Sequence, residues 1–192
     1  MSDQIRVGVL WGSLRKDSMN KKLARFVARK VSELDGVETR EIDLAELDLP
    51  MYSEDISPMP DSVHKLRDQM IACDALIVAS PEYNGSITGA LKNAIDWASV
   101  GRDGDPPRAC FQGKVVGMLA SSPGAIGGLR GMRHVRQILT QLHCVVVPTE
   151  YALGSGHEAF DGDGKITDST KAELATNVGA EMVRICRALK SS

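Results

Sequence analysis

The sequence predicts a doubly wound α/β fold, and three observations carry that reading. Short apolar runs at 5–10, 75–80 and 114–120 have the near-continuous hydrophobicity of strands covered on both faces. Stretches with apolar residues at helical spacing alternate with these runs along the chain. Two of the runs lead straight into polar, glycine-bearing loops, Gly12-Ser13-Leu14-Arg15-Lys16-Asp17-Ser18-Met19-Asn20 and Pro81-Glu82-Tyr83-Asn84-Gly85-Ser86, each followed by a helical pattern. In an open α/β sheet, ligands lie at the carboxyl ends of the strands where strand order reverses, so two such loops imply one shared site.

Taken in order, 5–10 is the first strand and 18–34 the first helix, with Leu23, Phe26, Val27, Lys30 and Val31 at helical spacing and Asp35-Gly36 ending it. Residues 38–43 form a shorter, more polar second strand, as expected of an edge. A long connection interrupted by Pro50, Pro58 and Pro60 leads to a helix over 61–72, for which Asp61 or Ser62 is the expected cap. The apolar third strand, 75–80, precedes the second loop and a helix over 88–100. A Gly/Pro-containing loop over 101–112 leads to the fourth strand, 114–120. A mostly helical stretch follows over 127–142, then a fifth strand at 144–147 that stops at Pro148, and a closing helix over 169–189. Five strands alternating with helices give a parallel sheet with right-handed crossovers.

At 192 residues and 43% hydrophobic, the chain has material for one good core and is short for two, so 1–192 reads as one domain. A net charge of −2 sets aside general binding to nucleic acid or to a membrane surface. Cys73, Cys110, Cys144 and Cys186 are scattered among apolar or helical neighbours without a C-x-x-C, which predicts buried free thiols rather than disulfides. Residues 1–6 lack the basic-then-apolar layout of a signal peptide, and no apolar run approaches the ~20 residues of a membrane span. The expected location is the cytoplasm.

The first loop suits a phosphate. Backbone N–H groups at a helix start are unpaired and sit at the positive end of the macrodipole. Ser13, Ser18 and Asn20 add short donors and Arg15 adds a charged one. A plainer alternative, in which Ser18 only caps the helix and Arg15 is solvated, does not account for four suitable residues after a first strand. The loop lacks both G-x-x-x-x-G-K-[ST] and G-x-G-x-x-G, which argues against nucleotide triphosphate hydrolysis and against a dinucleotide fold in which Asp43 would hold a ribose. The second loop differs: Pro81 removes a donor, Gly85 frees the backbone and Tyr83 offers a flat amphipathic ring, features that suit the edge of a planar heterocycle.

Together these motifs resemble a known family. Gly12-Ser13-Leu14-Arg15 with Ser18 and Asn20, then Pro81-Glu82-Tyr83-Asn84, then Gly89-Ala90-Leu91-Lys92-Asn93-Ala94-Ile95-Asp96-Trp97, are similar to the NADPH-dependent FMN reductases, in particular to bacterial quinone and chromate reductases. Ser121-Ser122-Pro123-Gly124-Ala125-Ile126-Gly127-Gly128 resembles that family's loop after the fourth strand, and the likeness runs from about residue 5 to residue 150. The resemblance implies a flavodoxin-like fold with strand order 2-1-3-4-5 and non-covalently bound FMN. It implies that Ser13, Arg15, Ser18 and Asn20 hold the 5′-phosphate, with Lys16 and Asp17 nearby. It places Pro81, Glu82, Tyr83, Asn84 and Ser86 along the isoalloxazine, and Ser122 and Gly124 on its other side. It further implies hydride transfer from NADH or NADPH to flavin N5 and onward to quinones, with chromate, ferric complexes or azo compounds as other small-molecule acceptors, in a homodimer or homotetramer.

Two features depart from the family pattern. The 100–108 loop looks long and is expected to bear on access to the flavin or on contacts between subunits, and Arg133 stands where some relatives carry an aromatic residue. Arg102 and Arg108 are candidates for reading a 2′-phosphate. Competing functions are a flavodoxin-like electron carrier, against which the near-neutral charge argues, and a flavin- or nucleotide-binding regulatory module.

Other motifs take plainer readings. Asp161-Gly162-Asp163-Gly164 lacks the flanking carboxylates of a calcium loop and reads as a surface turn. The four histidines have no metal-ligand spacing, and no G-x-S-x-G elbow is present. Leu91, Ala94, Ile95 and Ala98 form a core stripe, beside which Trp97 is expected to pack rather than stack on flavin. Glu82 is placed to pair with a base or hold its loop, and is not assigned a catalytic role.

Overall fold

A computed structural model describes residues 4–191; Met1, Ser2 and Asp3, part of the segment read for a leader, and Ser192 lie outside it. Five parallel strands, β1 (Ile5–Trp11), β2 (Val37–Ile42), β3 (Ala75–Ala79), β4 (Val115–Ser121) and β5 (Val145–Leu153), form one sheet in the order β2-β1-β3-β4-β5. Between and after them run α1 (Met19–Ser32), α2 (Leu44–Leu47), α3 (Asp61–Ile71), α4 (Gly89–Ser99), α5 (Leu129–Gln141) and α6 (Ser169–Lys190). This is the flavodoxin-like order, with the change of winding direction between β1 and β3.

Strand alternation divides the core. Ala75, Ile77 and Ala79 of β3 face one layer, with Leu23 and Val27 of α1 and Val178 and Met182 of α6. Leu76 and Val78 face the other, with Leu66 of α3, Leu91 and Ile95 of α4, and Val135 and Leu139 of α5. The central strands β3 and β4 are buried at every position, which is why they read as continuous apolar runs. All four cysteines are free and buried.

Three local readings are corrected. β5 does not stop at Pro148 but continues to Leu153. The register slips between Val116 and Met118, so that Val147, Pro148 and Thr149 bulge opposite Gly117; β5 is an edge strand, and a bulge there tolerates a residue without an N–H. The connection before Pro50 contains α2, too short for helical periodicity, whose first turn is capped by Asp43 accepting from the Ala45 N–H at 3.0 Å. The cap of α3 is Pro60, which offers no side-chain hydrogen bond, while Asp61 is the first helical residue.

Parallel strands send every departing connection to one end of the sheet and every entering connection to the other. The loops after β1, β3 and β4 therefore converge at the carboxyl ends. The 100–114 segment enters β4 and lies at the opposite end, carried there by the roughly 16 Å rise of α4. Its anchor is Arg67 of α3, buried at 2% exposure, which donates to Ala98 O at 2.7 Å, to Val100 O, and to Asp105 at 2.7 Å. Arg102 donates to the same Asp105 and to Asp68. Within one chain the loop therefore does not reach the carboxyl-end site, and Arg102 is engaged by Asp68 and Asp105 instead.

Candidate functional site

The site is built where the first loop meets the turn after β3 and the end of β4. Gly12 lies directly against α4: a Cβ there would stand 2.8 Å from Leu91 Cβ. Thr88, the cap of α4, donates to Gly12 O at 2.6 Å and accepts from the Leu91 N–H, fixing the exit of β1 to the start of α4. From this anchor the chain swings out through Leu14, Arg15, Lys16 and Asp17, all exposed, and returns at Ser18 to begin α1.

Ser13 and Ser18 are the buried polar residues of this loop, at 4% and 3% exposure. Ser18 Oγ caps α1 by accepting from the Lys21 N–H at 3.3 Å, and Ser13 Oγ accepts from the Arg15 N–H at 3.4 Å. Each hydroxyl uses a lone pair on the backbone and keeps its own proton to donate. With the first N–H groups of α1 and the exposed guanidinium of Arg15, this donor set suits a dianion. Capping by Ser18 and anion binding are thus compatible.

Asn20 has a further task. Its Nδ2 donates to Ser121 O at 2.8 Å and its Oδ1 accepts from Ser121 N at 2.9 Å, which holds the end of β4 and leaves one Nδ2 proton for a ligand in the pocket. Asp17 is exposed and pairs with Lys22 at 2.5 Å; the hydrogen bond and charge of Lys22 hold its carboxyl below the ordinary range. Asp43, once weighed as a ribose ligand, is committed to Lys21 at 2.7 Å. Lys16 lies at the exposed tip of the loop.

A small pocket of about 80 Å³ brings Ser13, Arg15, Ser18 and Asn20 together with Pro81, Glu82, Tyr83 and Ser122. It shares Glu82 and Ser122 with a wider cleft of about 540 Å³ that includes Asn84, Gly85, Gly124, Ile126 and Arg130. Residues 83–86 form a tight antiparallel turn, Tyr83 N to Ser86 O and Ser86 N to Tyr83 O both at 3.1 Å, with Asn84 and Gly85 at positive φ. Tyr83 is half exposed. The opposite wall, 122–128, is woven into the end of β5: a Cβ on Gly154 would lie 2.3 Å from Ala125 O, and one on Gly156 would lie 2.1 Å from Ser121 Oγ.

The turn is tied to α5 at both flanks. Glu82 accepts from Arg130 Nε at 2.9 Å and from Gly131 N at 3.0 Å. The cap position of α5 is Gly128 at φ 95°, with no side chain to give, so Glu82 supplies the missing cap from another loop. Burial pushes this carboxyl upward, but the Gly131 N–H and the charge of Arg130 outweigh it and hold Glu82 below its ordinary value. At the other flank Ser86 Oγ and His134 Nδ1 lie 2.8 Å apart. Ser86 therefore faces a separate groove of about 530 Å³ between α4 and α5, and joins neither the small pocket with Pro81 and Tyr83 nor the cleft with Asn84. Trp97 is packed, with its Nε1 donating to Pro50 O at 2.7 Å and its ring edge-on to Tyr52.

Arg130, Gly131 and Ile126 are absent from the residues singled out in the sequence. Ile126 lies inside a recognised loop, but Arg130 sits in an ordinary amphipathic helix and only the fold carries it to the cleft.

A flavodoxin-like sheet with a donor-rich loop after β1 and an adjoining cleft at the carboxyl ends of β3 and β4 has the layout of a nucleotide- or flavin-binding α/β protein. Comparison with known proteins makes the class specific: residues 5–158 match the NADPH-dependent FMN reductase family, and the chain belongs to it. It is an oxidoreductase of that family, whose chemistry uses flavin and a nicotinamide. It is 38% identical over 178 residues to an NAD(P)H-dependent FMN reductase of Pseudomonas aeruginosa, covering 91% of each. It is 38% identical over 196 residues to a quinone reductase of Pseudomonas putida, covering 98% of this chain and 100% of the relative. Among solved structures, the FerB flavoenzyme NAD(P)H:(acceptor) oxidoreductase of Paracoccus denitrificans superposes with a TM-score of 0.83 at 32% identity, covering 96% and 98% of the two chains.

Proposed function

We propose that this chain, a single domain over 1–192, is a cytoplasmic NAD(P)H-dependent FMN oxidoreductase that passes electrons to quinones. The observation carrying this reading is the pocket that unites Ser13, Arg15 and Ser18 with Pro81 and Tyr83 and opens into the wider cleft. Ser13, Arg15, Ser18, Asn20 and the start of α1 hold the 5′-phosphate of FMN, with Lys16 and Asp17 at the loop tip. Pro81, Glu82, Tyr83 and Asn84 line one side of the ring, and Ser122 and Gly124 the other; Asn20 braces the floor of the phosphate pocket. When bound, FMN supplies the two-electron redox chemistry, while the protein supplies orientation, electrostatics and access. Glu82, ionised and committed to Arg130 and Gly131, keeps the ring-facing turn in place and donates no proton at neutral pH. Water delivers the protons that the reduced acceptor takes up. The quinone assignment is supported by the names of the relatives at 38% identity, and chromate, ferric complexes and azo compounds are further acceptors of the same open cleft.

The active form is a homodimer or homotetramer. Supporting this is the half-open groove between α4 and α5, with Ile87, Ile95, Ile138 and Leu142 in its lining. Among the described residues no helix is long and apolar enough to cross a membrane.

The test is the visible spectrum of the purified, FMN-supplied protein, followed by separate anaerobic addition of NADH and NADPH and then of a quinone. Flavin bands that bleach quickly and return on adding quinone are expected, with ping-pong steady-state kinetics. Bands that resist either nicotinamide would make the protein a carrier, and failure to take up FMN would overturn the site.

A further inference from the structure

The geometry points to Arg130 as the residue that reads the 2′-phosphate of NADPH and so sets the preference between the two nicotinamide nucleotides. This inference rests on the FMN site just proposed. Arg130 lines the 540 Å³ cleft together with Glu82, Asn84 and the 122–128 wall. Its side chain is 69% exposed, yet it is not free to swing, because Nε and Nη2 both lie 2.9 Å from Glu82 Oε1. That anchoring lowers the conformational cost of binding an anion and turns the remaining edge of the guanidinium outward. The pair is not electrically closed: Oε2 of Glu82 takes the Gly131 N–H at the positive end of α5, so the helix terminus offsets part of the carboxylate charge. An arriving phosphate meets the open N–H groups of a guanidinium whose partner carboxylate is shared with the helix start.

Among the described residues lining the cleft, Arg130 is the one base, and the neighbouring bases lie outside that lining in ion pairs of their own. Lys21 is held by Asp43, and Arg133 and Arg136 by Glu150. Arg15 and Lys16 belong to the loop that meets the flavin's own phosphate. Arg102, one of two candidates from sequence with Arg108, is bound to Asp68 and Asp105 at the far end of the sheet. Arg130 thus combines position, preorganisation and open donors for a phosphomonoester that NADPH carries and NADH lacks.

The experiment uses FMN-loaded wild type, Arg130→Gln and Arg130→Lys, with anaerobic reduction followed by stopped flow against NADPH and NADH concentration. FMN affinity is measured in parallel. In the wild type NADPH binds more tightly than NADH. Arg130→Gln should weaken NADPH roughly tenfold or more relative to NADH, any loosening of the Glu82 turn falling on FMN and on both nucleotides alike, and should abolish the salt sensitivity of the difference. Arg130→Lys should restore part of the preference. Equal loss for both nucleotides, no change for either, or a wild type that favours NADH overturns the assignment. A wild type that binds no FMN, or that neither nucleotide reduces, instead overturns the function proposed above.

Discussion

Asn20 and Ser121 grip each other by both polar edges, the Asn20 amide donating to Ser121 O at 2.8 Å and accepting from Ser121 N at 2.9 Å, across 101 residues of sequence. Both residues are buried, at 2% and 1% exposure. The pairing joins the start of α1 to the last residue of β4, and so sets the spacing between the phosphate loop and the 122–128 wall.

Replacing Asn20 with Ala leaves the N–H and C=O of Ser121 unpaired in a buried setting, at a cost of roughly 2–3 kcal/mol. The loss is expected in urea unfolding of the FMN-free protein. A variant of unchanged apo stability but weaker FMN binding would make Asn20 a ligand alone and not a brace.

Arg15 gives the opposite pattern. It is exposed, so Arg15→Ala should leave apo stability unchanged while weakening FMN by about 1.5–3 kcal/mol, or roughly ten- to hundredfold. Fluorescence titration with FMN reads this directly, and an unaltered dissociation constant refutes the phosphate assignment.

Glu82 links stability to pH. Its folded-state pKa is depressed, so the unfolded chain binds the proton more readily, and the stabilisation is present above the ordinary glutamate range and fades as pH falls through the lowered folded value. Glu82→Gln should therefore cost about 1–2 kcal/mol at pH 7, through the lost charge-assisted cap of α5. The gap from wild type should close in acid. Chemical unfolding at pH 7 and at about pH 3 tests the sign; a gap that widens in acid contradicts it.

Arg67 tests the two-ended organisation of the sheet. Arg67→Met removes a buried cation from Asp105 and from the carbonyls of Ala98 and Val100, which should destabilise by about 3 kcal/mol or more. Because the network lies at the amino ends of the strands, NAD(P)H kinetics of the folded variant should stay within about twofold of wild type. A selective rise in KM for NADPH would place the loop back at the site.

The thiols are inert by burial. Desolvation pushes Cys110 up to about 11 and Cys144 up to about 12, against the opposing charge of Lys114 on both. At pH 8 a maleimide should label the native protein slowly and the denatured protein at once. Rapid native labelling would mean that the sheet's amino end opens.

The fold was legible because its strongest signals are local. Ala75 to Ala79 is apolar at every position since both faces of β3 are covered, and Ser18 marks the start of α1 through a cap that spans three residues. The errors share a cause as well. Pro148 breaks the alternation that identifies a strand, but the bulge that accommodates it exists only in the pairing with β4. The four-residue α2 leaves no helical period, and the contacts of Asp43 with Lys21 and with the α2 start exist only in the fold.

The sequence by itself determined the α/β alternation, the two loops, the buried free thiols and the resemblance to a family, since each is written in neighbouring residues or in a contiguous motif. Only the tertiary structure decided that Asn20 braces β4, that Ser86 turns away toward His134, that the 100–114 loop lies far from the cleft, and that Arg130 lines it. Those facts depend on which ends of the sheet a parallel topology brings together. Pairs such as Asn20 with Ser121, or Glu82 with Gly131, leave no periodic trace in a chain that must fold before they meet.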